Sequence, residues 1–311
     1  MINELAEMAE QILKQKMSDP ALAERMNEAM QGQSPEYMLI SPITHSLQDL
    51  DLLRLLQGDA FHGTRVPRFP LLPVQRSLFL YGGPVAYNSG FSKNRAIILT
   101  FEEDEAQSLI YESVRNLVRH PSAFGIPIVC LRVDYRNGTI QVAEHSGPRD
   151  GIVEDEMLSR AKKPKELDRA VLTTVCSDSR VSPPPTTTGL PMAIQSLGGH
   201  IPAYTAKKDE TWQLDSFFKR WLDETSQNPR ILIFAHGSFD CDGPACGAGK
   251  ACMTAENIRN PILGKVIRRL ARDASALEDK LPENPEKRVQ SLAEATRRNL
   301  FTYPSLRERF D

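Results

Sequence analysis

The heptapeptide VCSDSRV, residues 175–181, follows directly on the apolar run AVLTTV at residues 170–175. A short apolar run of this kind indicates a buried β-strand. Because side chains repeat every two residues along an extended chain, Cys176, Asp178 and Arg180 are predicted to share one face at the end of that strand. A thiol, a carboxylate and a guanidinium are costly to place together beside a core. The pattern therefore indicates a site of chemistry.

A second apolar run, RILIFAH at residues 230–236, is preceded by an amphipathic helix predicted at residues 214–226. A strand, a crossover helix and a second apolar strand indicate a parallel sheet that is covered on both faces. Ligands of such sheets bind outside the carboxyl ends of the strands. We therefore expect His236, at the end of the second run, to lie close to Cys176.

The glycine-rich turn after His236 contains Cys241 and Cys246, and either thiol completes a set of two cysteines and one histidine. Thiolates and imidazole suit Zn²⁺, and three protein ligands leave a fourth position open, as in catalytic sites. Asp178 is short enough to reach that position, and Arg180 is able to hold Asp178 away from it in a fork-shaped ion pair. The sequence thus predicts a catalytic zinc site that Asp178 opens and closes.

The overall composition is that of a globular protein, with 311 residues, 41% apolar and 25% charged residues and a net charge of −2. The near-neutral charge argues against nucleic acid or an anionic membrane as partner. No apolar run reaches the ~20 residues that cross a bilayer, and the acidic N-terminus resembles neither a secretory signal nor a transit peptide. Five cysteines are an odd number, and their clustering favours a metal site over disulfides. These features predict a cytoplasmic protein.

The chain divides into three predicted regions: an N-terminal helical arm at 1–34, an α/β lobe at 35–150 and a zinc-binding lobe at 165–311. An internal repeat supports two related lobes, since residues 107–122 align without gaps on residues 290–305 with eight of sixteen positions identical.

Within the first lobe, residues 32–95 are rich in proline and are predicted to be irregular. A strand is predicted at 95–101 and a helix at 102–120. The Asn-Gly turn between the apolar runs at 126–135 and 139–144 predicts a β-hairpin.

The motifs resemble those of the β-class carbonic anhydrases. The segment CSDSRV matches their Cys-x-Asp-x-Arg signature, CGAGKACM resembles their glycine-rich turn into a helix, and VQSLAEATRRNLFTYPSLRERF resembles a helix near their C-terminus. This resemblance implies a mostly parallel sheet flanked by helices and a homo-oligomer, with dimers as the family's unit. It also implies reversible hydration of carbon dioxide to bicarbonate by a zinc-bound hydroxide. The implied zinc ligands and catalytic pair are Cys176, His236, Cys246, Asp178 and Arg180.

The sequence departs from that family in three places. Cys246 lies ten residues after His236, where the family usually has His-x-x-Cys, so Cys241 stays an alternative ligand; a long interval also resembles the shell-associated carbonic anhydrases of carboxysomes. The segment SLGGH at 196–200 replaces the family's usual sequence. The first lobe has no Cys-x-Asp-x-Arg and would be a degenerate partner in a pseudo-dimer. Two further interpretations are a zinc hydrolase of carbonyl sulfide or carbon disulfide, and an inactive interaction protein.

Overall fold

The computed structural model describes most of the chain after its N-terminal region. The predicted N-terminal arm, apart from Pro20, lies outside the described residues, and so do Arg180 and Cys241. The described ranges are 35–45, 60–62, 70–73, 76–120, 125–146, 166–178, 188–225, 228–236, 246–276 and 280–310, with single positions at 20, 53, 181, 183 and 186.

The second half of the chain forms a three-stranded sheet with every strand parallel. Its strands are β6 (Leu167–Cys176), β7 (Leu190–Ser196) and β8 (Arg230–Ile233), in the order β7-β6-β8. Helix α3 (Glu210–Glu224) connects β7 to β8 and begins where the Asp209 carboxylate accepts a hydrogen bond from a backbone N–H of the first turn. The predicted strands and crossover helix are confirmed, although α3 begins four residues earlier than the sequence indicated.

The first half forms a five-stranded sheet in the order β2-β1-β3-β4-β5. Its strands are β1 (Tyr37–Ile40), β2 (Ala60–His62), β3 (Ala96–Glu102), β4 (Ile128–Asp134) and β5 (Thr139–Ser146). All pairs are parallel except the β4–β5 pair, which is antiparallel and forms the predicted hairpin around Asn-Gly.

Helices flank both sheets, which confirms the predicted α/β class with mostly parallel strands. The remaining helices are α1 (Leu78–Gly90), α2 (Gln107–Val118), α4 (Gly247–Cys252), α5 (Pro261–Ser275), α6 (Pro285–Leu300) and α7 (Pro304–Phe310).

The prediction that residues 32–95 are irregular is wrong, because β1, β2 and α1 lie there. The glycines and the proline of YGGP, which suggested a loop, lie inside α1. Gly82 accounts for part of this, since a Cβ at that position would lie 3.1 Å from a methyl group of Val266 and 3.2 Å from one of Leu197. The missing side chain therefore lets α1 pack closely against the second half of the chain.

The two sheets have the same strand order around their first strand. In each, the first strand along the chain is central, the second pairs with one side and the third with the other, as β2-β1-β3 and β7-β6-β8 show. One apolar cluster also continues from one sheet to the other, through Ile97 of β3, Leu172 of β6 and Ile194 of β7. The halves therefore pack against each other through a common core.

Each copy of the internal repeat forms hydrogen bonds with both backbone groups of one buried residue outside the repeat. A helix hydroxyl accepts a hydrogen bond from that residue's N–H, and an amide three positions later donates to its C=O. These contacts join Ser113 and Asn116 to Leu71 at 3.1 and 2.7 Å, and Thr296 and Asn299 to Ile201 at 3.4 and 2.9 Å. The shared contact gives a structural reason for asparagine at both repeat positions.

Among the described residues, no helix combines the length and apolar character that crossing a membrane requires.

Candidate metal centre

Cys176 is the last residue of β6, and its thiol is buried at the carboxyl end of the sheet. The turn that follows β7 passes directly over this end. It does so with Gly198 and Gly199 at φ angles of 68° and 67°, in the left-handed region that favours glycine. A Cβ at Gly199 would lie 3.3 Å from the carbonyl carbon of Val175. The two glycines of SLGGH therefore have a structural role in letting the turn approach Cys176.

Two other side chains meet Cys176 at this edge. Cys246 directly precedes α4, and its Sγ lies 3.9 Å from that of Cys176. His236 follows β8 with a half-buried side chain. One potential ligand atom from each of the three residues lies within 4.8 Å of the other two. The structure thus brings together the three residues that the sequence nominated as metal ligands.

The spacing of these atoms fits Zn²⁺. Zinc–sulfur bonds of about 2.3 Å at a tetrahedral angle place two sulfur atoms about 3.8 Å apart, and the Sγ atoms of Cys176 and Cys246 are 3.9 Å apart. Two thiolates and one imidazole are donors that this ion accepts, with one coordination position left over.

The surroundings shift the pKa values of the two thiols in opposite directions. The hydrogen bond between them and burial raise the pKa of Cys176 well above its ordinary value. The same hydrogen bond lowers the pKa of Cys246; burial opposes this, while a hydrogen bond with His236 and the N–H of Gly249, 3.5 Å from the sulfur, assist it. The pair therefore loses its first proton readily and resists losing the second. A divalent cation between the sulfurs would remove that resistance.

Asp178 lies two positions beyond Cys176 and is only 2% exposed. Its backbone N–H donates a hydrogen bond to Cys176 Sγ, and its backbone C=O accepts one from Val181 at 3.0 Å. These bonds tie the backbone of Asp178 to the ligand set on one side and to the following turn on the other. The predicted partner of its carboxylate, Arg180, lies outside the described residues.

A cavity of about 250 Å³ opens beside Cys176 and Asp178, and its walls are mostly apolar. Leu197 and Ala248 of the second half contribute to it. The end of α1 in the first half also contributes to the wall, in a region that was predicted from the sequence to be irregular. These wall residues are Ala86, Ser89, Gly90 and Phe91.

Other cysteines and histidines lie outside the ligand set. Cys130 is buried in β4, and the Cys252 thiol is 3.9 Å from the carbonyl oxygen of Ile267. His200 Nε2 lies 2.9 Å from a carboxylate oxygen of Asp273, which joins the end of β7 to α5. These positions agree with packing and structural roles.

No protein-family model matches the chain, and no curated protein matches it. Among solved structures, the chain is similar to the β-carbonic anhydrase CcaA, with 22% sequence identity and a TM-score of 0.34. The match covers 45% of this chain and 62% of that one, so this chain spans less than two thirds of its relative. Similarity of this size carries no conclusion about activity.

Proposed function

We propose that this chain is a zinc-dependent carbonic anhydrase that interconverts carbon dioxide and bicarbonate. The observation that carries the proposal is the set of Cys176, His236 and Cys246, whose ligand atoms lie within 4.8 Å of one another. Cys176 of this set also lines an apolar cavity. The Cys-x-Asp-x-Arg pattern at residues 176–180 supports it.

The donor set determines what a bound ion would do. When bound, Zn²⁺ supplies Lewis acidity and makes water nucleophilic near neutral pH. Cys176, His236 and Cys246 would hold it and leave one position for water or substrate. Both thiols are buried, so bulk water has little access to these two ligands.

In this proposal Asp178 is the residue that accepts and transfers the proton. Asp178 lines the cavity, and its backbone is fixed by the hydrogen bond to Cys176 Sγ. From there Asp178 accepts a proton from the attacking water and passes it on to solvent. The Cys-x-Asp-x-Arg pattern assigns to Arg180 the role of an ion-pair partner that would keep this carboxylate ionised.

The cavity holds the substrate. Carbon dioxide is small and has no net dipole, so apolar walls such as Leu197, Ala248 and Phe91 accept it without loss of hydrogen bonds.

Zinc content and carbon dioxide hydration, measured on the same preparation, test this proposal. We expect about one zinc per chain and hydration that Cys176→Ser and Cys246→Ser abolish together with the bound zinc. Cys252→Ala is the matched control, since Cys252 is a buried cysteine outside the ligand set. The Cys252→Ala variant should keep both its bound zinc and its hydration activity.

Two results would overturn the proposal. Protein without zinc after purification and reconstitution would favour the inactive interaction protein. Zinc-loaded protein that hydrolyses carbonyl sulfide or carbon disulfide but leaves carbon dioxide unchanged would assign a different substrate to the same site.

A further inference from the structure

The turn at residues 197–200 lies beside all three residues of the ligand set. Gly199 packs against the backbone of Cys176, since an added Cβ at Gly199 would lie 3.4 Å from the Cys176 nitrogen. The same turn lines a cavity of about 10 Å³ together with His236 and Cys246. A shift of this turn would therefore change the surroundings of every ligand.

Hydrogen bonds also join this turn to the segment that carries Cys176. The N–H of Ser177 donates to the carbonyl oxygen of Ser196, the last residue of β7, at 2.7 Å. The Ser196 hydroxyl donates to the carbonyl oxygen of His200 at 2.8 Å. These two bonds connect the residue after Cys176 with the end of the turn.

The side chain of His200 fixes the end of the turn to α5. Its Nε2 lies 2.9 Å from a carboxylate oxygen of Asp273, and the two side chains are only 8% and 17% exposed. Burial opposes ionisation of Asp273, but hydrogen bonds from His200 and Asn299 lower the pKa of this carboxyl below its ordinary value. An ionised carboxylate only accepts hydrogen bonds, so Nε2 is the donor and the bond is charge-assisted.

This contact distinguishes the two halves of the chain. Both halves have the hydroxyl and amide contacts that hold Leu71 and Ile201, so those contacts belong to a common framework. The residue before Ile201 is His200, whereas the residue before Leu71 is Pro70, which has no side-chain donor. The ligand set found among the described residues lies in the same half as His200. The additional contact therefore accompanies the metal ligands and not the repeated framework.

We infer that His200 is a positioning residue of the metal centre, which acts through its hydrogen bond to Asp273 on the turn that packs against Cys176. The inference rests on the proposed function for the identity of the ligands, and His200 itself lies outside the ligand set. Without this bond the turn is free to shift, and Cys176 loses its fixed position. Part of the binding free energy of zinc is then used to order the site.

The zinc affinity of the full chain, measured by competition with a chelating indicator, tests this inference. His200→Leu removes the donor, and Asp273→Ala removes the acceptor. Each variant should bind zinc about tenfold more weakly than the wild type, and the double variant should bind no more weakly than either single variant. His200→Gln should restore most of the affinity, because its amide nitrogen can donate to Asp273 in place of Nε2.

Asn284→Ala separates positioning from a general loss of stability. Asn284 caps the start of α6, where its side-chain oxygen accepts a hydrogen bond from the N–H of Lys287 at 3.0 Å. Loss of this cap destabilises the helix at the end remote from Thr296 and Asn299. The variant should therefore keep the zinc affinity of the wild type.

The possible outcomes distinguish this inference from the proposed function. Wild-type affinity in both His200→Leu and Asp273→Ala, or an equal loss in Asn284→Ala, would overturn the inference alone. A wild type without affinity for zinc would overturn the inference together with the proposed function. Weaker binding in both variants, with recovery in His200→Gln, supports the inference even where the zinc-loaded protein hydrates no carbon dioxide.

Discussion

The Sγ atoms of Cys176 and Cys246 lie 3.9 Å apart although 70 positions separate these residues along the chain. The end of β6 and the start of α4 hold them there, and both thiols are buried. Two thiolates at this distance repel each other unless a cation lies between them. Metal binding should therefore be coupled to the stability of this whole edge of the sheet.

The first prediction is that zinc raises the stability of the fold. A ligand present at 100 to 1,000 times its dissociation constant stabilises the folded state by about 3 to 4 kcal/mol. Adding zinc to chelator-treated protein should accordingly raise the thermal midpoint by several degrees. Differential scanning calorimetry measures this shift.

Matched variants show whether the shift arises at the proposed site. Cys246→Ser should remove most of the zinc-dependent increase, and Cys252→Ala should preserve it. An equal increase in both variants would place the stabilising metal elsewhere.

The residues of the site could be predicted from the sequence because they follow local patterns. Cys176 and His236 each come after an apolar strand, and the topology rule for parallel sheets brings strand ends together. Cys246 was harder to assign, since a ten-residue interval from His236 left Cys241 as an alternative. The structure places Cys246 within the set, and Cys241 lies outside the described residues.

The residues of the cavity wall could not be predicted from the sequence in the same way. Its first-half residues lie at the end of α1, a helix that contains Gly82, Gly83 and Pro84. These residue types indicate a loop when read locally. Tertiary packing of Gly82 against Leu197 and Val266 is compatible with a helix there instead. A local pattern contains no information about such a partner.

The second prediction concerns Gly90, which lines the cavity from the first half of the chain. A Cβ added at Gly90 would have no atom within 4 Å, so a larger side chain enters open space at little cost in stability. Gly90→Leu should reduce kcat/KM for carbon dioxide about tenfold, which corresponds to about 1.4 kcal/mol, by filling the cavity. Stopped-flow hydration measures this change.

Gly90→Ala is the matched control, since a methyl group occupies little of the cavity, and it should retain most of the activity. Zinc content should stay the same in both variants. Unchanged kcat/KM in Gly90→Leu would show that substrate reaches the metal by another route.

The third prediction concerns Gly199, which has a φ of 67° beside the end of β6. In Gly199→Ala, the new Cβ would lie 3.3 Å from the carbonyl carbon of Val175 and 3.4 Å from the nitrogen of Cys176. A left-handed backbone costs a residue other than glycine about 1 to 2 kcal/mol. We expect a loss of about 2 kcal/mol in the free energy of unfolding and weaker zinc binding. Urea denaturation and metal titration measure the two effects.

Gly249→Ala is the control for this substitution. Gly249 lies inside α4, the nearest atom to an added Cβ is a Leu292 methyl group at 3.4 Å, and the N–H toward Cys246 Sγ is retained. Alanine in a helix is about 0.5 to 1 kcal/mol more favourable than glycine. Equal losses in the two variants would contradict the proposed role of the Gly199 conformation.

The fourth prediction concerns pH and a histidine remote from the ligand set. His120 is 2% exposed and stacks on Tyr81 with ring centroids 4.5 Å apart, and burial lowers its pKa from 6.5 to about 4. Between these two values the unfolded chain binds more protons at this position than the folded chain. The free energy of unfolding should therefore fall by about 2 to 3 kcal/mol as the pH decreases from 6.5 to 4, with no contribution from His120 above that window.

His120→Phe isolates this effect, since phenylalanine keeps an aromatic ring beside Tyr81 and has no proton to bind. The decisive quantity is the slope of the unfolding free energy against pH, because the substitution also changes the absolute stability. Between pH 6.5 and 4 the slope should be shallower in His120→Phe than in the wild type, and the other titrating groups should contribute equally to both. Parallel curves from urea denaturation at several pH values would show that His120 is as easily protonated in the folded chain as in the unfolded one.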